Sequence, residues 1–147
     1  FNEENTLVKI KNLENNENKT ISIVPETKDV ISALYYLRNN LNTNDLKPNQ
    51  EVNLDMIFDD DEVYKFRLRF LGKEKVDTPL GEINTLIFRP LVQDGRVFKE
   101  QESLTLWISD DENKIPVKIK ASLRVGSLVG EIIHYNGLKH PTVLKKK

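Results

Sequence analysis

The side chains able to do chemistry are few and scattered. His134 and His140 are the only imidazoles, and no Asp, Glu or Cys cluster sits near them at metal-ligand spacing. His134 alternates with Ile132 and Leu128, which reads as a packed or rim histidine. Two acidic runs, 59–62 and 110–112, are rich in oxygen donors. Neither has the alternating ligands and glycine of a calcium-binding loop, so both read as solvated hairpin tips. No pair of carboxylates is spaced to face another across a cleft, as glycoside hydrolysis requires. Serines occur without Gly-x-Ser-x-Gly or Ser-x-x-Lys, and there is no glycine-rich phosphate loop. Ser109 before Asp110 is a turn entry, not a nucleophile with a base. The chain has no cysteine, which removes thiol nucleophiles, disulfides and zinc–thiolate sites. The expectation is a protein with no catalytic residues, no metal and no cofactor, and not an enzyme.

One group stands apart. Trp107 points away from the face made by Leu104, Leu106 and Ile108, and so do Lys118, Lys120 and Arg124 on the following strand. An indole beside basic stems is a candidate surface for an anionic or amphipathic ligand or a partner. The bland alternative is that a helix or a preceding segment covers the tryptophan.

The elements that must hold this group are mostly strands. Leu104, Leu106 and Ile108 alternate with Thr105, Trp107 and Ser109. After Asp110–Asn113, alternation resumes through Ile115, Val117, Ile119, Ala121, Leu123 and Val125. Period two predicts a hairpin with one apolar face. Pairing Ile108 with Ile115 leaves Asp110–Asn113 as the loop and sets Thr105 opposite Lys118 and Trp107 opposite Pro116. A one-residue slip would bury Lys118 and Lys120. Pro116 has no N–H to give a ladder, so it belongs at an edge or a bulge.

Upstream, Val52, Leu54, Met56 and Phe58 face Tyr64, Phe66, Leu68 and Phe70 in a second hairpin, turning around Asp59–Glu62. Its other face sets acidic Glu51 and Asp55 beside basic Lys65, Arg67 and Arg69. Thr6–Ile10 and Lys19–Val24 read as strands around an Asn-rich turn. Asp29 is the expected N-cap of a single helix over about Val30–Asn40, with Val30, Ala33, Leu34, Leu37 and Leu41 as its apolar stripe and Tyr35 and Tyr36 flanking it. Gly72, Pro79 and Gly81 mark the next connection, followed by a strand over Ile83–Leu91. Asp94-Gly95 is a turn, Leu128–Tyr135 a last strand, and Asn136-Gly137 a final turn. The fold class that follows is mainly β: a meandering antiparallel sheet, strongly curved or rolled into an open barrel, with one helix.

Size and charge bound the rest. The chain has 147 residues, enough for a single domain over 1–147 with a real core. Its net charge is −1, which gives no overall footprint for nucleic acid. No apolar run is long enough to be a transmembrane helix.

Several of these pieces occur together in one family. Asp29-Val-Ile-Ser-Ala-Leu-Tyr-Tyr-Leu-Arg38, Thr78-Pro-Leu-Gly81, Leu104-Thr-Leu-Trp-Ile-Ser-Asp-Asp111 with Ile115-Pro-Val117, and Val125-Gly-Ser127 resemble the DUF3108 family, in the family's order. That family is found mainly in Gram-negative bacteria, typically behind a signal peptide, and its function is uncharacterised. The resemblance implies a largely β cell-envelope protein, periplasmic or outer-membrane associated. It supplies no catalytic residues to carry over. Family members have a longer stretch before the helix, so the chain resembles the C-terminal part of a longer protein: either it is a processed fragment, or the missing strands are elsewhere, in which case an edge of its sheet should be unpaired. The function expected is non-catalytic binding of a lipidic or amphipathic ligand in the envelope. The alternative is a structural or accessory subunit of an envelope complex.

Overall fold

The computed structural model describes residues 6–11, 18–23, 27–58, 62–92, 104–123 and 125–144. Thr6–Lys11 (β1) and Asn18–Ile23 (β2) pair antiparallel as a two-stranded sheet of their own. The main sheet has seven strands in chain order: Lys28–Asp29 (β3), Glu51–Phe58 (β4), Glu62–Thr78 (β5), Gly81–Val92 (β6), Leu104–Ser109 (β7), Pro116–Ser122 (β8) and Ser127–Glu131 (β9). It is curved and not closed into a barrel. Every pairing is antiparallel except the short β3–β4 contact, which is parallel, so the meander carries one mixed edge.

One helix, Val30–Asn40 (α1), follows β3 directly. Asp29 caps it: its carboxylate accepts the Ser32 N–H at 2.9 Å and the Ser32 hydroxyl at 2.6 Å. That satisfies one of the donors left open at a helix start. Ala33 and Leu37 are buried, while Leu34, on the same stripe, stays partly exposed.

Leu37 packs on Leu68, Phe70, Leu86 and Phe88, with Val52, Leu54, Phe66, Leu106 and Ile108 around them. This is the front of the sheet. The expected even-numbered faces of β4 and β5 meet there, with Val52 opposite Leu68 and Leu54 opposite Phe66. Phe70 and Phe88 stack tilted, ring centres 5.4 Å apart.

Three features differ from the sequence reading. Gly72 does not mark a connection. It sits at a β-bulge inside the long β5, with Phe70 opposite Phe88 and Gly72 opposite Ile87. Its φ of 148° is a conformation glycine adopts freely. The chain reverses later, at Thr78–Gly81, where the Thr78 hydroxyl donates to the Gly81 carbonyl.

The β7–β8 register also differs. Trp107 lies opposite Lys118 and Thr105 opposite Lys120, with a shift before Ile108 meets Pro116. The loop is the cause. One Asp111 carboxylate oxygen accepts the Ser109 hydroxyl and the N–H groups of Asn113 and Lys114. Ser109 Oγ in turn accepts the Ile115 N–H. This network holds Lys114 at φ 44° and draws more residues into the loop. A bulge beside Pro116 absorbs the difference, the position the missing proline N–H favours. The bulge also splits the expected apolar row. Ile119 and Ala121 stay in front, opposite Leu106 and Leu104. Ile115 and Val117 instead join Leu80 and Ile83 on the back, since Ile83 points away from Leu86 and Phe88 along β6.

Third, the last strand ends at Glu131 instead of reaching Tyr135. Residues 132–144 cross the back of the sheet without regular structure. They cover the second cluster with Ile132, Tyr135, Leu138 and Leu144. The side chain of buried Asn113 fastens them, donating to the His140 and Pro141 carbonyls and accepting the His140 N–H at 3.0 Å. The tight turn expected at Asp94-Gly95 lies outside the described residues.

Candidate functional site

An apolar concavity lies in front, between α1 and the sheet, with a volume of ≈ 290 Å³. That is near the lower end of the range for small-molecule sites. Its floor is Phe66, Leu68, Leu86, Leu106 and Ile108, and Pro116 closes one end. Leu34, Leu37 and Leu41 form the helix wall. The helix stripe thus does two jobs. Ala33 and Leu37 are buried and Leu41 packs on the core, while Leu34 stays partly exposed over space that the core leaves unfilled. Arg38 and Lys114, both partly exposed, are the only charged residues of the lining among the described residues. The Arg38 Nε–H donates to the Asn113 carbonyl at 3.0 Å, and its guanidinium lies 5.6 Å from the Tyr35 ring centre. These contacts hold the guanidinium at the mouth. Among the described residues the lining has no carboxylate, imidazole or serine.

The residues singled out from sequence lie elsewhere. Trp107 is half-buried on the back of the sheet, opposite Ile87 on one side and Lys118 on the other. Helix α1 lies on the other face and does not cover it. The indole N–H donates to the Glu74 carboxylate at 2.7 Å. Lys118 Nζ stands 5.7 Å from the ring centre and is 3.0 Å from Glu131. Lys120 shares this face, opposite Thr105 and Val129, and is exposed. Arg124 lies outside the described residues. The structure therefore brings Trp107, Lys118 and Lys120 to one face, as the alternation predicts, and gives Trp107 and Lys118 partners within the chain.

Farther along the back, Glu51 bridges two arginines. Its carboxylate is 2.8 Å from Arg69 Nη2 and 3.3 Å from Arg67 Nη1. The hydrogen bond from Arg69 is the largest influence on the Glu51 carboxyl; burial, the next largest, opposes it, and the charges of Arg67 and Arg69 tip the balance so that the carboxyl is held below its ordinary value. This is the acidic-beside-basic pairing read from sequence.

Among the described residues, no group of three His, Asp or Glu side chains converges as a metal site. His134 is exposed rather than packed. His140 Nδ1 lies 3.0 Å from Glu112. Also among the described residues, no helix is long and apolar enough to cross a membrane.

Sequence reasoning allows a helix-covered groove but does not name its lining, because that lining is a set of ordinary core residues. The available signal was the helix stripe, which is longer than the two residues needed to dock an eleven-residue helix. It also missed Asn113, whose burial depends on a segment far along the chain.

A family model described as a protein of unknown function (DUF3108) matches residues 1–133. No curated protein and no solved structure matches the chain significantly. The segments that carried the resemblance are structural pieces of the site and its frame. They are the Asp29 cap with α1, the Thr78–Gly81 turn, the β7–β8 hairpin with its Asp111 network, and the turn into β9. The chain belongs to the DUF3108 family.

Proposed function

We propose that this chain is a non-catalytic binding protein of the cell envelope, whose groove under α1 takes a single-chain amphiphile with an anionic head. The observation that carries the reading is the pairing of an apolar floor with two partly exposed cations in the lining. Leu34, Phe66, Leu106 and Ile108 offer a surface that gains about 25 cal/mol for each Å² of apolar area buried. Arg38 and Lys114 offer the charge that would fix an anionic head at the open end. The described lining is apolar apart from Arg38, Lys114 and the Tyr35 hydroxyl, which supports binding. The envelope assignment follows the habit of the family.

Isothermal titration calorimetry with decanoate, and with the neutral alcohol of the same chain length, tests this. The expected result is saturable binding of both with tighter binding of the carboxylate, and loss of both in Leu34→Asp. Absence of heat from either ligand up to its solubility limit contradicts the proposal.

A second reading has one specific observation in its favour. Leu123, Leu128 and Val129 are exposed around the last hairpin. An accessory subunit of an envelope complex would dock by such a surface.

A further inference from the structure

β9 is the outer edge of the main sheet, and among the described residues it pairs with β8 alone. Two hydrogen bonds fix which of its backbone groups point outward. The Ile132 N–H donates to the Val117 carbonyl, and the Gly126 carbonyl accepts the Leu123 N–H. Even-numbered residues therefore turn their amides toward β8. By alternation, Ser127, Val129 and Glu131 present N–H and C=O to the open side. Proteins usually blunt such an edge with lysine, proline or a bulge. β9 reads Ser-Leu-Val-Gly-Glu and pairs in unbroken register, so it has none of these. Its apolar side chains are bare, Leu128 at 67 % and Val129 at 46 %.

We propose that β9 is a self-association edge, pairing antiparallel with β9 of a second copy about a two-fold axis through Val129. In this register Val129 meets Val129 of the second copy, and Ser127 meets its Glu131. These are the outward-facing residues, and each such pair exchanges both of its backbone hydrogen bonds. Registers centred on Leu128 or Gly130 leave an outward-facing residue of β9 without a strand partner. The side chains fit the same register. Leu128 meets Gly130 of the second copy. A Cβ at Gly130 would stand 3.0 Å from the Ile119 side chain, so that position stays bare and leaves room for an incoming leucine. Charge does not oppose the pairing. Glu131 is neutralised by Lys118 at 3.0 Å, and the two Glu131 residues would lie more than about 13 Å apart, beyond the screening length at physiological salt. The strand is thus complementary to itself in hydrogen bonding, size and charge. This selects a second copy over an unrelated strand.

Sedimentation velocity of the whole chain across a concentration series, with register-specific cross-linking, tests the proposal. The expected result is a monomer–dimer equilibrium. Val129→Pro removes an outward amide that the isolated chain does not use, and is expected to raise the dimer dissociation constant about tenfold or more. Val129→Lys, which opposes two like charges at the axis, is expected to do the same, with an unchanged far-ultraviolet circular dichroism spectrum. The chain has no cysteine. Val129→Cys should therefore cross-link to itself under mild oxidation or with a short bifunctional maleimide, because directly opposed residues lie about 5.5 Å apart at Cα. Ser127→Cys, which meets Glu131, should not. A wild-type chain that stays monomeric to millimolar concentration overturns the proposal. So does a dimer that Ser127→Cys cross-links as readily as Val129→Cys, or one that neither Val129→Pro nor Val129→Lys weakens.

Discussion

Trp107 donates its indole N–H to Glu74 at 2.7 Å, across the strand that separates them, on the side of the sheet turned away from α1. The contact ties β7 to β5 over β6. With Lys118 at the ring and Glu131 beyond it, the tryptophan is one member of a polar chain that runs across the back. Trp107→Phe keeps the ring stem and deletes the donor. It is expected to cost about 1 kcal/mol or less, because the freed Glu74 carboxylate is exposed and regains water. Trp107→Ala should cost about 1–3 kcal/mol. Neither should change decanoate affinity more than about twofold, a small change on the scale where tenfold is 1.4 kcal/mol. Urea denaturation with calorimetry checks both. A large loss of affinity without a loss of stability would return the ligand to the back face.

At the mouth of the groove, Lys114 and Arg38 have separable roles. Lys114→Gln should weaken decanoate binding about threefold to tenfold, the effect of removing one partly exposed charge. It should leave binding of the neutral alcohol alone. Arg38→Gln also loses its bond to the Asn113 carbonyl, so its effect should include a stability loss of about 1 kcal/mol. Calorimetry of the two variants against both ligands separates charge from scaffold.

Glu51 gives a pH dependence of defined sign. Its carboxyl is held below its ordinary value of 4.5 in the folded chain. The stability it contributes is therefore fully present above about pH 4.5 and is lost as pH falls through the depressed folded value. Glu51→Gln cannot titrate. The expected outcome is a thermal midpoint lower than wild type at pH 7, with the difference shrinking as pH falls below 4.5. Midpoints measured down the acid limb check it. Parallel curves for the two proteins would contradict the assignment.

Asn113 is the buried fastener of the C-terminal crossing. Asn113→Ala strands the His140 N–H and removes a donor to two carbonyls. The expected cost is about 2–4 kcal/mol. Faster amide exchange should appear over residues 132–144, while the α1 groove residues stay protected. Hydrogen-exchange mass spectrometry reads both regions at once.

How much of this was legible follows from how local each cause is. The Asp29 cap, the limits of α1 and the β4–β5 register rest on neighbouring residues or on one strand pair, and the residue pattern contains them. The β7–β8 register did not follow from alternation, because Asp111 gathers donors from Ser109, Asn113 and Lys114 and lengthens the loop. Alternation reports which residues share a face only until a bulge intervenes. Here the bulge sends Val117 and Ile119 to opposite sides. The long β5 was cut short at Gly72 for the same reason, since a glycine inside a strand and a glycine in a turn look alike. The back-face crossing of residues 132–144 depends on Asn113 and Leu80, both distant in sequence, and no local pattern encodes it. The groove is a volume between packed residues, a property of spacing that composition does not carry.

In the proposed function an anionic amphiphile occupies the space between α1 and the front of the sheet. Methyl-resolved nuclear magnetic resonance during a decanoate titration tests it most directly. Saturable shifts are expected at Leu34, Leu86, Leu106 and Ile108, with Leu80 and Val117 on the back unmoved. Shifts confined to the back face, or no saturable shifts in the groove, would contradict it.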